Sequence, residues 1–237
     1  MSANGGQPAM ARPLLTWKCG ISLDGRLAAA DGSSRWITSK EARADVHRLR
    51  AESDAVIIGS GTQRLDDPHL GVRDLPVSRQ PLRVVVDTMA RTPVTARVLD
   101  GVAPTLIAVA DDADAAHLDG RATVARLPRG PGGLDLDELL HALYMRDVRT
   151  ALLEGGPTLA ASFLAAGLVD RVVAYLAPAL IGGGGLGALE GVGAPTIGDV
   201  IRLRFDEVVR IGPDVRLTAT LLTERSAASW EPVAAQR

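Results

Sequence analysis

A lysine stands inside an apolar run, Leu14-Leu15-Thr16-Trp17-Lys18-Cys19-Gly20-Ile21, where a strand that only fills a core has no use for a charge. The run ends in Ser22-Leu23-Asp24-Gly25-Arg26, whose Asp-Gly pair marks a tight turn. Beyond it, Gly32-Ser33-Ser34-Arg35-Trp36 brings hydroxyls, a cation and a flat aromatic face together. Other polar groups follow short apolar runs. They are Gly59-Ser60-Gly61-Thr62 with Asp66-Asp67-Pro68, Asp87-Thr88 with Arg91, Glu154-Gly155-Gly156-Pro157-Thr158, and Gly182 to Gly185.

These residue types narrow the chemistry. In the Glu154 group, paired glycines let backbone approach a ligand, and the helix start offers free N–H groups to an anion. A plain strand-to-helix turn would use the same residues, and both readings stay open. Gly59-x-Gly61 fails the dinucleotide fingerprint because its third glycine would fall at Arg64, so a turn is the simpler reading. Asp66-Asp67 could act as an acid or start a turn before Pro68. Gly182–Gly185 reads as a loop with no chemistry assigned. His47, His69, His117 and His141 lack metal-ligand spacing and read as surface or packing residues, so no metal is expected. Cys19, the sole cysteine, reads as a buried thiol. A protein without nucleophile or metal must work by placing reactants, and hydride transfer suits it because a cofactor carries the difficult step.

Elements must position these groups. Strands are expected over 14–21, 26–30, 55–59, 82–87, 104–110, 150–156 and 171–178, with an antiparallel pair near the C-terminus. Helices are expected from a Thr38 or Ser39 cap to about Ala51, over 134–147, and over 157–167 with Pro157 in the first turn and Gly167 at the end. This alternation predicts an α/β sandwich with a largely parallel sheet in one domain, 13–223, between a disordered lead, 1–12, and a loose tail, 224–237. Ligands in such sheets sit at the carboxyl ends of the strands. A net charge of −2 with no basic block argues against nucleic acid. No apolar stretch is long enough for a bilayer and the N-terminus carries no signal-like apolar segment, which together predict a cytoplasmic protein.

In combination, several of these groups resemble the reductase domain of the bacterial bifunctional riboflavin-biosynthesis deaminase/reductase, in the dihydrofolate-reductase-like superfamily. They are Lys18 with Ser22-Leu23-Asp24-Gly25-Arg26, Ser34-Arg35-Trp36-Ile37-Thr38-Ser39, Ala42-Arg43, Leu49-Arg50-Ala51, and Thr62 with Asp66-Asp67-Pro68. Leu70 with Arg73, Val86-Asp87, Glu154 to Leu159, and Ala177-Pro178 complete the set. The resemblance implies a three-layer α/β sandwich with a mostly parallel mixed sheet and an antiparallel C-terminal strand pair, and a homodimer. It implies NADPH-dependent reduction of 5-amino-6-(5-phosphoribosylamino)uracil to its ribitylamino product, by direct hydride transfer to ribose C1′. NADPH would be bordered by Gly20, Trp36, Thr62, Asp66, Thr88 and the run Gly155, Gly156, Pro157, Thr158, Leu159 to Ser162. Thr88 and Arg91 would suit its 2′-phosphate. Ser34, Arg50, Leu70, Arg73 and Glu154 would border the substrate, with the arginines on its phosphate and Lys18 at its ribose. Lys18, Asp66 and Glu154 form the implied catalytic set, with Lys18 or Asp66 managing the proton. The partner deaminase's zinc motif has no counterpart here, so reduction alone is expected. Rival readings are a related reductase acting on a diaminopyrimidinone or a pterin, and a non-catalytic nucleotide-binding protein of the same fold.

Overall fold

The computed structural model describes residues 10–222 and 231–232. The expected lead lies outside these residues except for 10–12, and the expected tail except for 231–232. Arg12 of that lead forms a two-pronged pair with Asp170, at 2.7 and 2.8 Å.

The chain opens with β1 (Leu14–Ser22) and β2 (Arg26–Ala28), joined through Gly25 at φ 78°. Helix α1 (Lys40–Ala51) begins where Ser39 accepts the Ala42 N–H, and it buries Ala42 and Val46. β3 (Ala55–Gly59) is an apolar run buried along almost its whole length. Helix α2 (Ser60–Asp66) follows at once, where the sequence suggested only a turn. It is short and has no apolar periodicity of its own, so packing around buried Gln63 decides its form. β4 (Leu82–Val86), β5 (Thr105–Ala110) and an unexpected β6 (Thr123–Leu127) continue the sheet. The hairpin β7 (Arg129–Gly130) and β8 (Gly133–Leu134) takes Leu134, where a helix was expected to begin, and α3 (Leu136–Tyr144) starts only after the Asp135 cap. Then come β9 (Thr150–Leu153), α4 (Pro157–Ala165), β10 (Arg171–Ala177), β11 (Leu186–Gly187) and β12 (Val192–Gly193). The antiparallel pair β13 (Leu203–Ile211) and β14 (Asp214–Leu221) follows, and β15 (Glu231–Pro232) pairs with β12.

One nine-stranded sheet runs in the order β13-β14-β10-β1-β9-β3-β4-β5-β6. Neighbours from β10 to β6 are parallel, and β14 and β13 add antiparallel pairings at one edge. Right-handed crossovers put α1 and α2 on one face and α3 and α4 on the other. Contacts agree with this assignment. Val173 and Tyr175 pack with Ala42 and Val46 of α1, and Gly59 meets Leu159 of α4 on the opposite face. Lys18 pairs in register with Val173 and Gly20 with Tyr175, so both face the α1 side. No helix among the described residues is long and apolar enough to cross a membrane.

One buried charge stabilises the sheet without touching the site. Arg83 of β4 is fully buried and bonds Thr105 Oγ1 at 3.0 Å, the Ala103 carbonyl at 2.6 Å and Asp100 Oδ1 at 2.8 Å. The apolar pattern of Leu82–Val86 hid this network. Arg83→Leu removes one of the partners of Asp100, which keeps His69, and leaves carbonyls unpaired, so urea unfolding should register a loss of about 1–3 kcal/mol. A loss below about 1 kcal/mol would show the network to be dispensable.

Candidate active site

A carboxylate collects the charges at the middle of the sheet. β9 ends at Leu153, and the next residue, Glu154, donates its N–H to the Ile57 carbonyl at 2.9 Å, which keeps the chain in strand register past the formal end. Its side chain therefore faces α1. There Arg50 grips it with two hydrogen bonds, Nε to Oε1 at 2.6 Å and Nη2 to Oε2 at 3.1 Å, while Lys18 Nζ stands 3.8 Å from Oε2. Burial alone would push the Glu154 pKa up. The charges of Arg50 and Lys18 and the Arg50 hydrogen bonds outweigh it and hold the pKa down at about 2. Glu154 is therefore an anion near neutrality and accepts hydrogen bonds; it cannot supply a proton.

Arg50 also donates to the Gly71 carbonyl at 3.2 Å, which ties the next loop to the cluster. That loop carries Leu70, buried at φ 60°, and exposed Arg73. Among the described residues the Arg73 guanidinium makes no hydrogen bond or ion pair, so it remains available to an anion. The expected phosphate arginines thus differ in kind. Arg50 is committed to Glu154, and Arg73 is open.

Beside this cluster, at the carboxyl ends of β3, β4 and β9, lies a cleft of about 550 Å³. Its walls include Thr62, Thr88, Gly156, Pro157, Thr158, Leu159 and Ser162 from the expected cofactor set. The floor is shaped by missing side chains. A Cβ on Gly156 would come within 3.3 Å of Thr62 Oγ1, and one on Gly155 within 3.0 Å of Leu159 Cδ2. Gly156 caps α4 with no side-chain hydrogen bond and Pro157 has no N–H, so the Thr158 and Leu159 N–H groups lack partners among the described residues. Free donors at a helix start suit a pyrophosphate, and the fit to a dinucleotide is good.

Other expected residues fall elsewhere. Trp36 stands exposed at φ 75° with the Arg43 guanidinium 4.5 Å from its ring centre, and Ser34 is exposed in the same loop. That loop crosses β1 closely: a Cβ on Gly20 would lie 3.0 Å from Thr38 Cγ2. Asp66 is exposed at the end of α2 and has no hydrogen bond or ion pair to the Lys18–Glu154 cluster. Arg91 is exposed beside the cleft loop that starts at Thr88; buried Asp87 holds this loop by accepting the Thr92 N–H at 2.6 Å and hydroxyl at 2.7 Å. Cys19 is buried, which pushes its thiol pKa up to about 12 and leaves it unreactive.

Several cleft residues escaped the sequence reading. Leu65 lines it from α2, next to Ser60 and Gly61 of the Gly59-Ser60-Gly61-Thr62 candidate group, whose glycines had a turn as their simpler reading. Pro131, Gly132 and Gly133 enter from the β7–β8 hairpin, where the Pro-Gly-Gly signal was available. Leu186 and Glu190 come from the segment after the glycine run. That run now has a physical reason at its ends. Asp24 accepts the Ile181 N–H at 3.1 Å and the Gly182 N–H at 2.6 Å, and Gly182 takes φ 91°. A Cβ on Gly185 would lie 2.7 Å from the Ala28 carbonyl, where β11 pairs with β2. Gly183 and Gly184 have no comparable constraint.

Known proteins resemble this chain in sequence and in fold. The RibD C-terminal domain family matches residues 13–217. The riboflavin biosynthesis protein RibD of Mycobacterium tuberculosis is 43% identical over 209 residues, covering 87% of this chain and 54% of the relative. The 2,5-diamino-6-ribosylamino-4(3H)-pyrimidinone 5′-phosphate reductase of Methanothermobacter thermautotrophicus is 39% identical over 216 residues, 89% of this chain and 99% of the relative. The solved RibD of Acinetobacter baumannii superposes with a TM-score of 0.79 at 31% identity, over 89% of this chain and 58% of that one. The chain spans about half the length of the RibD relatives it matches. The family model spans most of the chain, and these relatives share its sequence over nearly all of that span: the chain belongs to the RibD C-terminal domain family.

Proposed function

We propose that this protein reduces 5-amino-6-(5-phosphoribosylamino)uracil to 5-amino-6-(5-phosphoribitylamino)uracil with NADPH, in riboflavin biosynthesis in the cytoplasm. The observation that carries the proposal is the charge cluster beside the cleft: Glu154 held anionic by Arg50 and Lys18, with Arg73 open close by. Glu154 accepts from base N–H groups, and Arg73, with Arg50 behind it, meets the phosphate. Leu70 and Ser34 border the substrate. Thr158 and Leu159 N–H groups take the cofactor's pyrophosphate, with Thr62, Thr88, Gly155, Gly156, Pro157 and Ser162 around it. Trp36, Gly20, Asp66 and Arg91 extend that boundary. When bound, NADPH supplies the hydride. Lys18 holds a proton at Nζ for the ribose ring oxygen as that oxygen leaves C1′, and its position facing the cluster favours it over exposed Asp66 as donor.

A second reading keeps the reaction and changes the base. The M. thermautotrophicus reductase named for a 2,5-diaminopyrimidinone matches along nearly its whole length. Glu154 can accept N–H donors from either base, so absorbance at 340 nm is followed with both substrates. Oxidation with only the diaminopyrimidinone would select the second reading; oxidation with neither would sink both.

The homodimer belongs to the same proposal. A bulge between Phe205 and Glu207 pairs Phe205 with Ala219 and Val208 with Leu217, which keeps both side chains on one apolar face. Phe205 is 65% exposed and Val208 62%, beside an apolar groove lined by Val172, Ala174 and Leu203. A second copy would cover this face.

Lys18→Ala should lower kcat on the order of 10²–10⁴-fold while the Kd for NADPH stays put; unchanged turnover would remove Lys18 from catalysis. Phe205→Arg should shift the sedimenting species from dimer to monomer, and a persistent dimer would place the interface elsewhere. Because the folded pKa of Glu154 lies below the usual carboxylate value, its contribution to stability is complete above about pH 4.3 and is lost as pH falls toward about 2. The thermal midpoint of the native protein should therefore fall more steeply than that of Glu154→Gln between about pH 5 and about pH 2.5. Parallel curves would contradict the buried anion.

A further inference from the structure

His47 sits on α1 one turn before Arg50, and its ring reaches the loop that carries Arg73. That loop bends through Leu70 at φ 60°, and several side chains hold its backbone. Gln80 accepts the Val72 N–H at 2.7 Å and donates to the Val72 carbonyl at 3.1 Å. His69 Nδ1 accepts the Gly71 N–H at 3.2 Å, and Arg50 donates to the Gly71 carbonyl. A further tie is His47 Nδ1, which lies 3.2 Å from the Arg73 amide nitrogen. A backbone N–H can only donate, so Nδ1 must present a lone pair and the ring's proton must sit on Nε2. A doubly protonated ring would set one N–H against another and break the tie.

We propose that neutral His47 is the positioning residue that fixes Arg73 at its working distance from Arg50, so that its protonation weakens the grip on a sugar phosphate. The proposal rests on the functional reading above for the identity of the ligand, and on the hydrogen bond for the role of the ring. The charged groups around His47 come from each neighbouring element: Arg50 on its own helix, Arg73 and Asp74 on the loop, and Glu154 beyond β9. Burial and the two arginines push its pKa down, while Glu154 and Asp74 pull the other way. The net effect keeps the ring neutral, and able to accept, at neutral pH. Because protonation breaks the tie, a bound anion in turn favours the neutral ring, and this reciprocity couples release of the anion to acidification.

Ribose 5-phosphate, titrated calorimetrically into the full chain at about pH 7.5 and about pH 5.5, tests this independently of turnover. His47→Ala should weaken binding about tenfold at the higher pH, the effect of losing one hydrogen bond that organises the site. His47→Asn keeps an acceptor where Nδ1 stood and does not titrate, so it should restore most of that loss and flatten the fall in affinity at the lower pH. The phosphate's own titration is common to all forms and cancels between them. In steady-state assays with the full substrate, the Ala effect should appear in KM with little change in kcat. The inference is overturned if the native protein does not bind the sugar phosphate, if His47→Ala binds it as tightly, or if the Asn variant follows the native pH dependence. The expected binding pattern without any NADPH oxidation would uphold the inference and reject the reductase reading.

Discussion

The buried carboxylate of Glu154 is the constraint on which the site depends. An anion at the end of a central strand is costly unless counter-charges reach it with good geometry. Arg50 reaches it from α1 and Lys18 from the neighbouring strand, so one charge balance joins the helix to the sheet's centre. The cluster still carries an excess of positive charge, and Arg73 adds to it from the loop that Arg50 holds. A phosphorylated ligand would complete this balance, whereas a neutral pterin would leave it open.

The cleft beside the cluster owes its shape to backbone. Gly155 and Gly156 leave room where a side chain would strike Leu159 or Thr62, and α4 begins there with donors left over. The far wall depends on Asp24. Its carboxylate, held down at about pKa 2 by the Ser22 hydroxyl and the Gly182 and Ile181 N–H groups, anchors the segment that leads to Leu186 and Glu190. The Asp-Gly turn after β1 therefore has a second task, as the anchor of a cleft wall formed by residues far along the chain.

The outer part of α1 is secured separately. Asp45 accepts from the Tyr175 hydroxyl and from Arg216, each at 2.7 Å, while Arg48 bonds its other oxygen at 2.9 Å. Asp214, buried, accepts the Ser39 N–H at 2.7 Å just before the helix starts. These ties run from the antiparallel edge to the helix that carries His47 and Arg50. The edge strands thus support the site at a distance and also present the apolar face around Phe205.

Much of the architecture could be read from the chain itself. Short β-branched runs such as Ala55–Gly59, the Ser39 cap and Pro157 at a helix start are local signals, and each acts over a few residues whatever lies beyond them. The lone lysine in β1 and the Glu-Gly-Gly-Pro-Thr run pointed to the site for the same reason: charge or glycine where a core has no need of it. Tertiary structure alone decided the rest. It committed Arg50 to Glu154, 104 residues away, left Arg73 open, and placed Asp66 outside the cluster. It turned Ser60–Asp66 into a helix, hid Arg83 inside an apolar strand, and brought His47 against the Arg73 backbone. Such pairings depend on distances between strands and helices that no local pattern encodes, because the energy of a charge or a hydrogen bond is set by what folding brings next to it.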